Sequence, residues 1–94
     1  MEFPHLGAML DGYFHQDFVA EHGSPEDAAR AFLRDAPAGD VGPVRAELDE
    51  FIALARGETR QEWLRRLRGI GGAWRPRSLD SLGKVAAVLR AAKV

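Results

Sequence analysis

The chain has 94 residues and no cysteine, which fits one small domain and excludes a disulfide scaffold, a thiol nucleophile and every cysteine-based metal site. Hydrophobic residues make up 46% and charged residues 29% of the chain, as in a soluble globular protein and unlike a disordered one. We therefore expect residues 1–94 to form a single domain.

The two halves of the chain carry opposite charge. Residues 1–50 hold eleven Asp or Glu against three Arg, a net charge of −8, whereas residues 51–94 hold three acids against ten Arg or Lys, a net charge of +7. Either the halves neutralise each other in the fold, or one of them faces a partner of opposite charge. The sequence leaves both interpretations open.

No segment of the sequence has the length of a membrane span. The longest apolar runs, such as residues 85–89, are far shorter than the roughly 20 residues that cross a bilayer. Residues 1–4 also lack the positive charge of a targeting segment. We therefore expect a cytoplasmic protein with no membrane partner.

Helical signals begin near the start of the chain. Apolar residues spaced three and four apart predict a first helix over residues 4–16, with Pro4 in its first turn. A second helix is predicted over residues 25–36, because Ser24 can cap it, Pro25 suits the first helical position, and two acids follow at the positive end of the helix dipole.

Residues 37–42 are predicted to interrupt the chain before a third helix over residues 43–56, which Gly57 closes. Thr59 and Glu62 have the spacing of a capping box and predict a fourth helix that ends at Gly69. Its predicted buried side consists of Trp63, Leu64 and Leu67. Residues 70–78 are predicted to form a loop anchored by Trp74.

A fifth helix is predicted over residues 81–92, with Leu82, Val85, Ala86 and Leu89 as its buried apolar stripe. No alternating strand pattern occurs anywhere in the sequence. Five short helices with brief connections predict a compact all-α bundle of one domain.

No arrangement of residues in the sequence indicates an enzyme. His15 and Asp17 are too close in sequence to share one face of a helix, and no serine or lysine stands out as a nucleophile to complete a catalytic set. We instead expect Asp17 to end the first helix as a buried carboxylate that accepts hydrogen bonds from the backbone amides of residues 19–23 or from Arg60.

Metal and cofactor sites are not indicated either. His5, His15 and His22 lack the spacing that puts two imidazoles on one helical face, and Gly69, Gly71 and Gly72 do not have phosphate-loop spacing. We therefore predict no metal, no cofactor and no small-molecule substrate.

One basic and aromatic stretch keeps a second kind of function open. Arginines and tryptophans in this combination can hold phosphates and stack on bases, so a small nucleic-acid-binding or regulatory module is the alternative function. A pI of about 6.3 and the expected burial of Trp63 argue against it. The residues of the stretch are Arg60, Trp63, Arg65, Arg66, Arg68, Trp74, Arg75 and Arg77.

The first third of the chain resembles immunity proteins of contact-dependent growth inhibition systems. Residues 13–18 read Tyr-Phe-His-Gln-Asp-Phe, similar to the Tyr-Phe-His-Gln-Asp-Trp signature of that family, and residues 23–28 resemble its second helix start. The resemblance covers residues 3–35, with Phe18 replacing the signature Trp. It implies an all-α, non-enzymatic protein that binds and neutralises the C-terminal toxin domain of a cognate effector inside the producing cell.

Within the signature we expect Tyr13, Phe14, Asp17 and Phe18 to be scaffold residues at core-facing positions, and only His15 and Gln16 to be exposed for partner binding.

For the surface that contacts the toxin, the acidic half is the sequence-based candidate. Many toxins that act on nucleic acids carry basic surfaces, which an acidic inhibitor would attract. Glu47 and Glu50 fall on the side of the third helix opposite its apolar stripe, so both are predicted to be free for a partner, while Asp49 can pair with Arg45. The alternative is that these acids only solubilise the helix or meet arginines of the fourth helix.

Overall fold

The computed structural model describes residues 3–91, in which six α-helices and no strand occur. The helices are α1 (Pro4–Tyr13), α2 (Phe18–His22), α3 (Pro25–Asp35), α4 (Ala38–Ala55), α5 (Arg60–Ile70) and α6 (Leu79–Ala91). The predicted all-α class is confirmed. The predicted end of the last helix at Ala92 lies outside the described residues.

One hydrophobic core joins the helices. α6 packs against both α3 and α4, and α1 packs against α3, α4 and α5. The predicted apolar stripe of α6 is fully enclosed, since Leu82, Val85, Ala86 and Leu89 are all 0% exposed. The radius of gyration of 12.1 Å is close to the value of about 12 Å expected for a chain of this length.

Two of the predicted helix starts have the expected caps. The hydroxyl of Ser24 accepts a hydrogen bond from the backbone N–H of Asp27 at 3.1 Å and caps α3. In α5 the hydroxyl of Thr59 accepts from the amide of Glu62, and the Glu62 carboxylate accepts from the amide of Thr59 at 2.8 Å. These reciprocal bonds complete the predicted capping box.

The first helix ends earlier than predicted. α1 stops at Tyr13, and after a turn the chain forms the short helix α2, which the sequence analysis missed. The turn allows Phe14 and Phe18 to pack together with a ring separation of 5.3 Å. In a continuous helix the carbonyl of Phe14 would accept from the amide of Phe18, but here it accepts from the amide of Ala73 at 2.9 Å, so a tertiary contact overrides the helical pattern.

The third predicted helix also begins earlier than expected. Only Ala36 and Pro37 separate α3 from α4, because α4 already starts at Ala38 and Pro43 lies inside it. A proline at this depth removes the hydrogen bond to the carbonyl of Gly39, which is exposed and accessible to water. Burial of Val41, which is 3% exposed, stabilises the additional turn.

Candidate partner-binding site

A groove of about 860 Å³ lies where the segment after α1, helix α5 and the turn after α5 meet. Its lining combines cationic, amide and aromatic side chains and contains no acidic residue. The lining residues are Gln16, Gln61, Leu64, Arg65, Arg68, Gly72, Ala73, Trp74 and Arg75. We call this feature the basic groove.

Helix α5 forms one wall of the basic groove. Its lining residues, Gln61, Leu64, Arg65 and Arg68, are spaced three and four apart, so they share one face of the helix. The opposite face is buried through Trp63 and Leu67 at 3% and 1% exposure. The same amphipathic pattern that fixes α5 to the core therefore presents two arginines to solvent.

Residues 71–73, which we call the glycine turn, hold the other wall of the groove against α1. The amide of Gly72 donates a hydrogen bond to the carboxylate of Asp11 at 2.8 Å, and the amide of Ala73 donates to the carbonyl of Phe14 at 2.9 Å. Gly72 has φ +68°, and a Cβ atom there would lie 2.8 Å from the carbonyl oxygen of Leu10. Only glycine fits this close approach without strain.

Trp74 links the turn to the signature residues. Its ring stacks on Phe14 at a centroid distance of 5.0 Å and meets Phe18 edge-on at 6.4 Å. Phe14 is fully buried, whereas Trp74 is only partly buried and lines the groove. The predicted anchoring of the loop by Trp74 is therefore confirmed, and the same side chain supplies apolar surface to the groove.

The three arginines of the groove form no close ion pair among the described residues. Arg65, Arg68 and Arg75 are exposed and take part in none of the ion pairs found in residues 3–91. Arg60 differs, since its guanidinium donates to the backbone carbonyls of Pro76 at 3.1 Å and Arg77 at 2.8 Å. A concave surface lined by one sign of charge attracts ligands of the opposite sign.

The two oppositely charged halves of the chain neutralise each other little. Six ion pairs occur in the described part of the chain, and only Asp49–Arg90, at 2.5 Å, joins residues 1–50 to the second half. The other five lie within one half: His5–Glu47, His15–Glu21, Asp27–Arg30, Arg34–Asp35 and Glu58–Arg66. Asp49 thus pairs with Arg90 and not with Arg45 as predicted.

Of the two signature residues expected to be exposed, one lines the groove. Gln16 is exposed and borders it. His15 is held by its own neighbours, because Nε2 lies 2.8 Å from a carboxylate oxygen of Glu21 and Nδ1 accepts a hydrogen bond from the amide of Asp17 at 3.2 Å. Binding a partner through His15 would require breaking these contacts.

Glu47 is not free as predicted. Its Oε1 accepts hydrogen bonds from the backbone amides of His5 and Leu6, both at 2.9 Å, and its Oε2 lies 2.6 Å from Nδ1 of His5. The helical pattern of α4 places Glu47 off the main apolar stripe, but α1 crosses α4 at this position. Glu50 is exposed and remains a candidate for partner contact, as the sequence analysis predicted.

The prediction of a buried Asp17 is wrong. Asp17 lies in the turn between α1 and α2, is exposed, and makes no side-chain hydrogen bond within the described residues. The core positions around it belong to Phe14 and Phe18, while Tyr13 is half-buried against Phe32. The error follows from extending α1 through Gln16, which gave Asp17 the wrong helical phase.

Tyr13 is fixed at its polar end by α3. Its hydroxyl donates a hydrogen bond to Asp35 at 3.0 Å. Desolvation, followed by the contact with the Asp35 carboxylate, raises the pKa of Tyr13 above its ordinary value of 10.0. The side chain therefore joins α1 to α3.

A second, smaller depression of about 370 Å³ lies between α3 and α6 and is mostly apolar. Within residues 3–91 no three His, Asp or Glu side chains are grouped so as to hold a metal ion. No described helix is both long and apolar enough to cross a membrane.

Sequence reasoning had noted the arginines of the groove but not the cavity. Leu64, predicted on the buried side of this helix, lines the groove, and its spacing with Gln61, Arg65 and Arg68 is the signal that could have identified this face of α5. The contribution of Gln16 depends on the contact between α1 and the turn after α5, which has no local sequence signal.

The signature residues 13–18, helix α5 and the glycine turn all lie within the part of the chain that matches a known family. The family described as CdiI immunity protein matches residues 2–78. No curated protein and no solved structure matches the chain significantly. Since the match covers most of the sequence, including the groove, the chain belongs to the CdiI immunity protein family.

Proposed function

We propose that the protein binds the C-terminal toxin domain of a cognate contact-dependent growth inhibition effector and neutralises it in the cytoplasm of the producing cell. The match to the immunity-protein family over residues 2–78 carries this proposal. Neutralisation takes place by occupying the toxin's surface, with no chemical step performed by the immunity protein.

The basic groove supports a binding role. Its floor and walls are positioned by the core helices α1 and α5 and by hydrogen bonds from the glycine turn, so little order has to be gained on binding. Exposed arginines next to a partly buried tryptophan are also the residue types enriched at the centres of protein interfaces.

A second candidate function, nucleic-acid binding, is favoured by the same arginines and by Trp74, which could hold phosphates and stack on a base. Two observations weigh against it. The chain has a net charge of −1, and within residues 3–91 Asp49 is the one acid of the first half that pairs with a cation of the second half, so a long polyanion would meet repelling carboxylates on a molecule only 33 Å long.

Coexpression tests the proposed function. The toxin is taken from the last domain of a large secreted effector encoded next to this gene, and growth is compared with and without the immunity protein. We expect restored growth and a stable complex of the two proteins on gel filtration. Unrelieved toxicity together with absence of a complex would refute the proposal. An immunity protein from an unrelated effector pair is the matched control for nonspecific rescue.

A further inference from the structure

We propose that the basic groove is the toxin-contacting surface and that it takes an acidic segment of the toxin, with carboxylates on the arginines and an apolar side chain against Trp74. This inference deepens the proposed function and rests on it. It specifies an acidic partner surface, whereas the acidic first half of the chain would by itself suggest a basic one.

The charge of the groove is the first argument for an acidic partner. Arg65, Arg68 and Arg75 are exposed, share one groove with no acidic lining residue, and have no ion-pair partner within residues 3–91. Six acids of the described residues have ion-pair partners, among them Glu47, Asp49 and Glu58, and none of the other acids lines this groove. The uncompensated charge that is concentrated in a cavity is therefore positive.

The guanidinium groups of the groove fit carboxylates, which they bind in the same bidentate way as phosphates. Guanidinium groups bind carboxylates through two parallel hydrogen bonds, and three arginines around one groove can hold two or three acidic side chains of a short segment. Arg65 and Arg68 are three residues apart on α5, so their like charges repel each other until a partner is bound. The groove also supplies amide groups from Gln16 and Gln61, which can bond to the backbone of such a segment.

An apolar contact completes the surface. Trp74 and Leu64 are both partly buried in the groove, and Trp74 rests on the buried ring of Phe14. A protein segment can place an aliphatic or aromatic side chain there between its acidic residues. A nucleic-acid backbone would bring phosphates at regular spacing beyond the groove and toward the acidic part of the molecule.

The test compares charge reversal in the groove with equal reversal elsewhere. Arg65→Glu with Arg68→Glu is the groove variant, and Arg56→Glu with Lys84→Glu is the control, since both control residues are exposed and do not line the groove. Thermal unfolding of each variant shows whether it remains folded. Affinity for the toxin domain, measured by calorimetry, is expected to fall about 100-fold or more in the groove variant and to change less than about tenfold in the control.

Three outcomes of these binding measurements, which include a Glu50→Lys variant, lead to different conclusions. A toxin that binds the wild-type protein and the groove variant equally would overturn the groove as the contact surface while leaving the proposed function intact. Failure of the wild-type protein to bind the toxin at all would instead refute the proposed function. A loss of affinity on Glu50→Lys, with the groove variant unaffected, would assign the contact to the acidic face and overturn this inference.

The class of partner is tested with two defined probes, a decaglutamate peptide and a single-stranded DNA of equal charge. We expect the peptide to quench the fluorescence of Trp74 in the wild-type protein and not in the groove variant, with the effect decreasing as ionic strength rises from about 0.05 M to about 0.5 M. Stronger groove-dependent binding of the DNA would overturn the acidic-peptide inference in favour of the nucleic-acid alternative.

Discussion

The Oε1 atom of Glu47 lies 2.9 Å from the backbone nitrogen of Leu6, 41 positions earlier in the chain. The same oxygen accepts from His5, and the amide of Gly7 donates to the carbonyl of Phe3. Since Pro4 has no N–H, these three bonds satisfy every free amide in the first turn of α1, whose N-cap residue provides no side-chain bond. Glu47 of α4 thus caps α1 from another helix.

Removal of this cap is expected to destabilise the protein. Glu47→Ala leaves two partly shielded amides without an acceptor and should lower the free energy of unfolding by about 1 to 3 kcal/mol, measured by urea denaturation. Glu47→Gln keeps an acceptor oxygen and should lose less. Glu50→Lys, at an exposed position of the same helix, is the control and should stay within about 0.5 kcal/mol of wild type. Equal stability of Glu47→Ala and wild type would show that the trans-helix cap contributes nothing.

Substitution of Asp17 is expected to leave stability unchanged. Its side chain is exposed and without a hydrogen bond in the described structure, so Asp17→Ala should change the free energy of unfolding by less than about 0.5 kcal/mol. Thermal unfolding measures the effect. A markedly lowered midpoint would restore the sequence-based interpretation of Asp17 as a buried scaffold residue, whereas a stable variant that no longer binds the toxin would place Asp17 in the interface.

Two glycines should respond to alanine in opposite ways. Gly72→Ala must accommodate a Cβ 2.8 Å from the carbonyl oxygen of Leu10 at φ +68°, so we expect a loss of about 1 to 3 kcal/mol and a displaced Trp74. Gly83→Ala in α6 has no atom within 4 Å of the added Cβ and should gain about 0.5 to 1 kcal/mol from helix propensity. Chemical denaturation of both variants measures the two changes in the free energy of unfolding. A Gly72→Ala protein as stable as wild type would contradict the tight contact between the glycine turn and α1.

The capping box of α5 is expected to weaken in acid. Hydrogen bonds from the backbone and hydroxyl of Thr59 hold the pKa of Glu62 below its ordinary value of 4.5. Since the folded-state pKa is the lower one, this contribution to stability is present above pH 4.5 and is lost as the pH falls through the folded-state value.

Denaturation midpoints between neutral pH and pH 3 measure this effect. Glu62→Gln retains an acceptor for the Thr59 amide and should show a flatter decrease in acid than wild type. Glu50→Gln removes the same charge from an exposed site and controls for the change in net charge. Parallel acid profiles of Glu62→Gln and wild type would contradict the assignment.

Local signals in the sequence predicted much of the fold. The caps at Ser24 and Thr59 are formed by neighbouring residues, so the starts of α3 and α5 could be placed without knowledge of the tertiary structure. The stripe of α6 likewise identified its buried face. The predictions were wrong where contacts between distant residues determine the local structure. The end of α1 is an example, because Phe14 packs on Trp74 there and the apolar pattern of residues 4–16 gave no sign that the helix would stop.

The candidate site was predictable only in part. The arginines of α5 were visible in the sequence, but Gln16 joins them through a contact between α1 and the glycine turn. Glu47 illustrates the converse, since a helical wheel shows which face of α4 it lies on but not that another helix crosses there. Both cases concern pairs of residues more than 40 positions apart.

Helix α6 begins at Leu79, directly after the residues matched by the family, yet four of its side chains fill the core between α3 and α4. None of them lines the basic groove. Under the proposed assignment of the groove to toxin recognition, recognition and completion of the core belong to different parts of the chain. We therefore expect that exchange of the groove arginines between relatives would redirect specificity with the core left intact, whereas a transplanted last helix would have to match the volumes presented by α3 and α4.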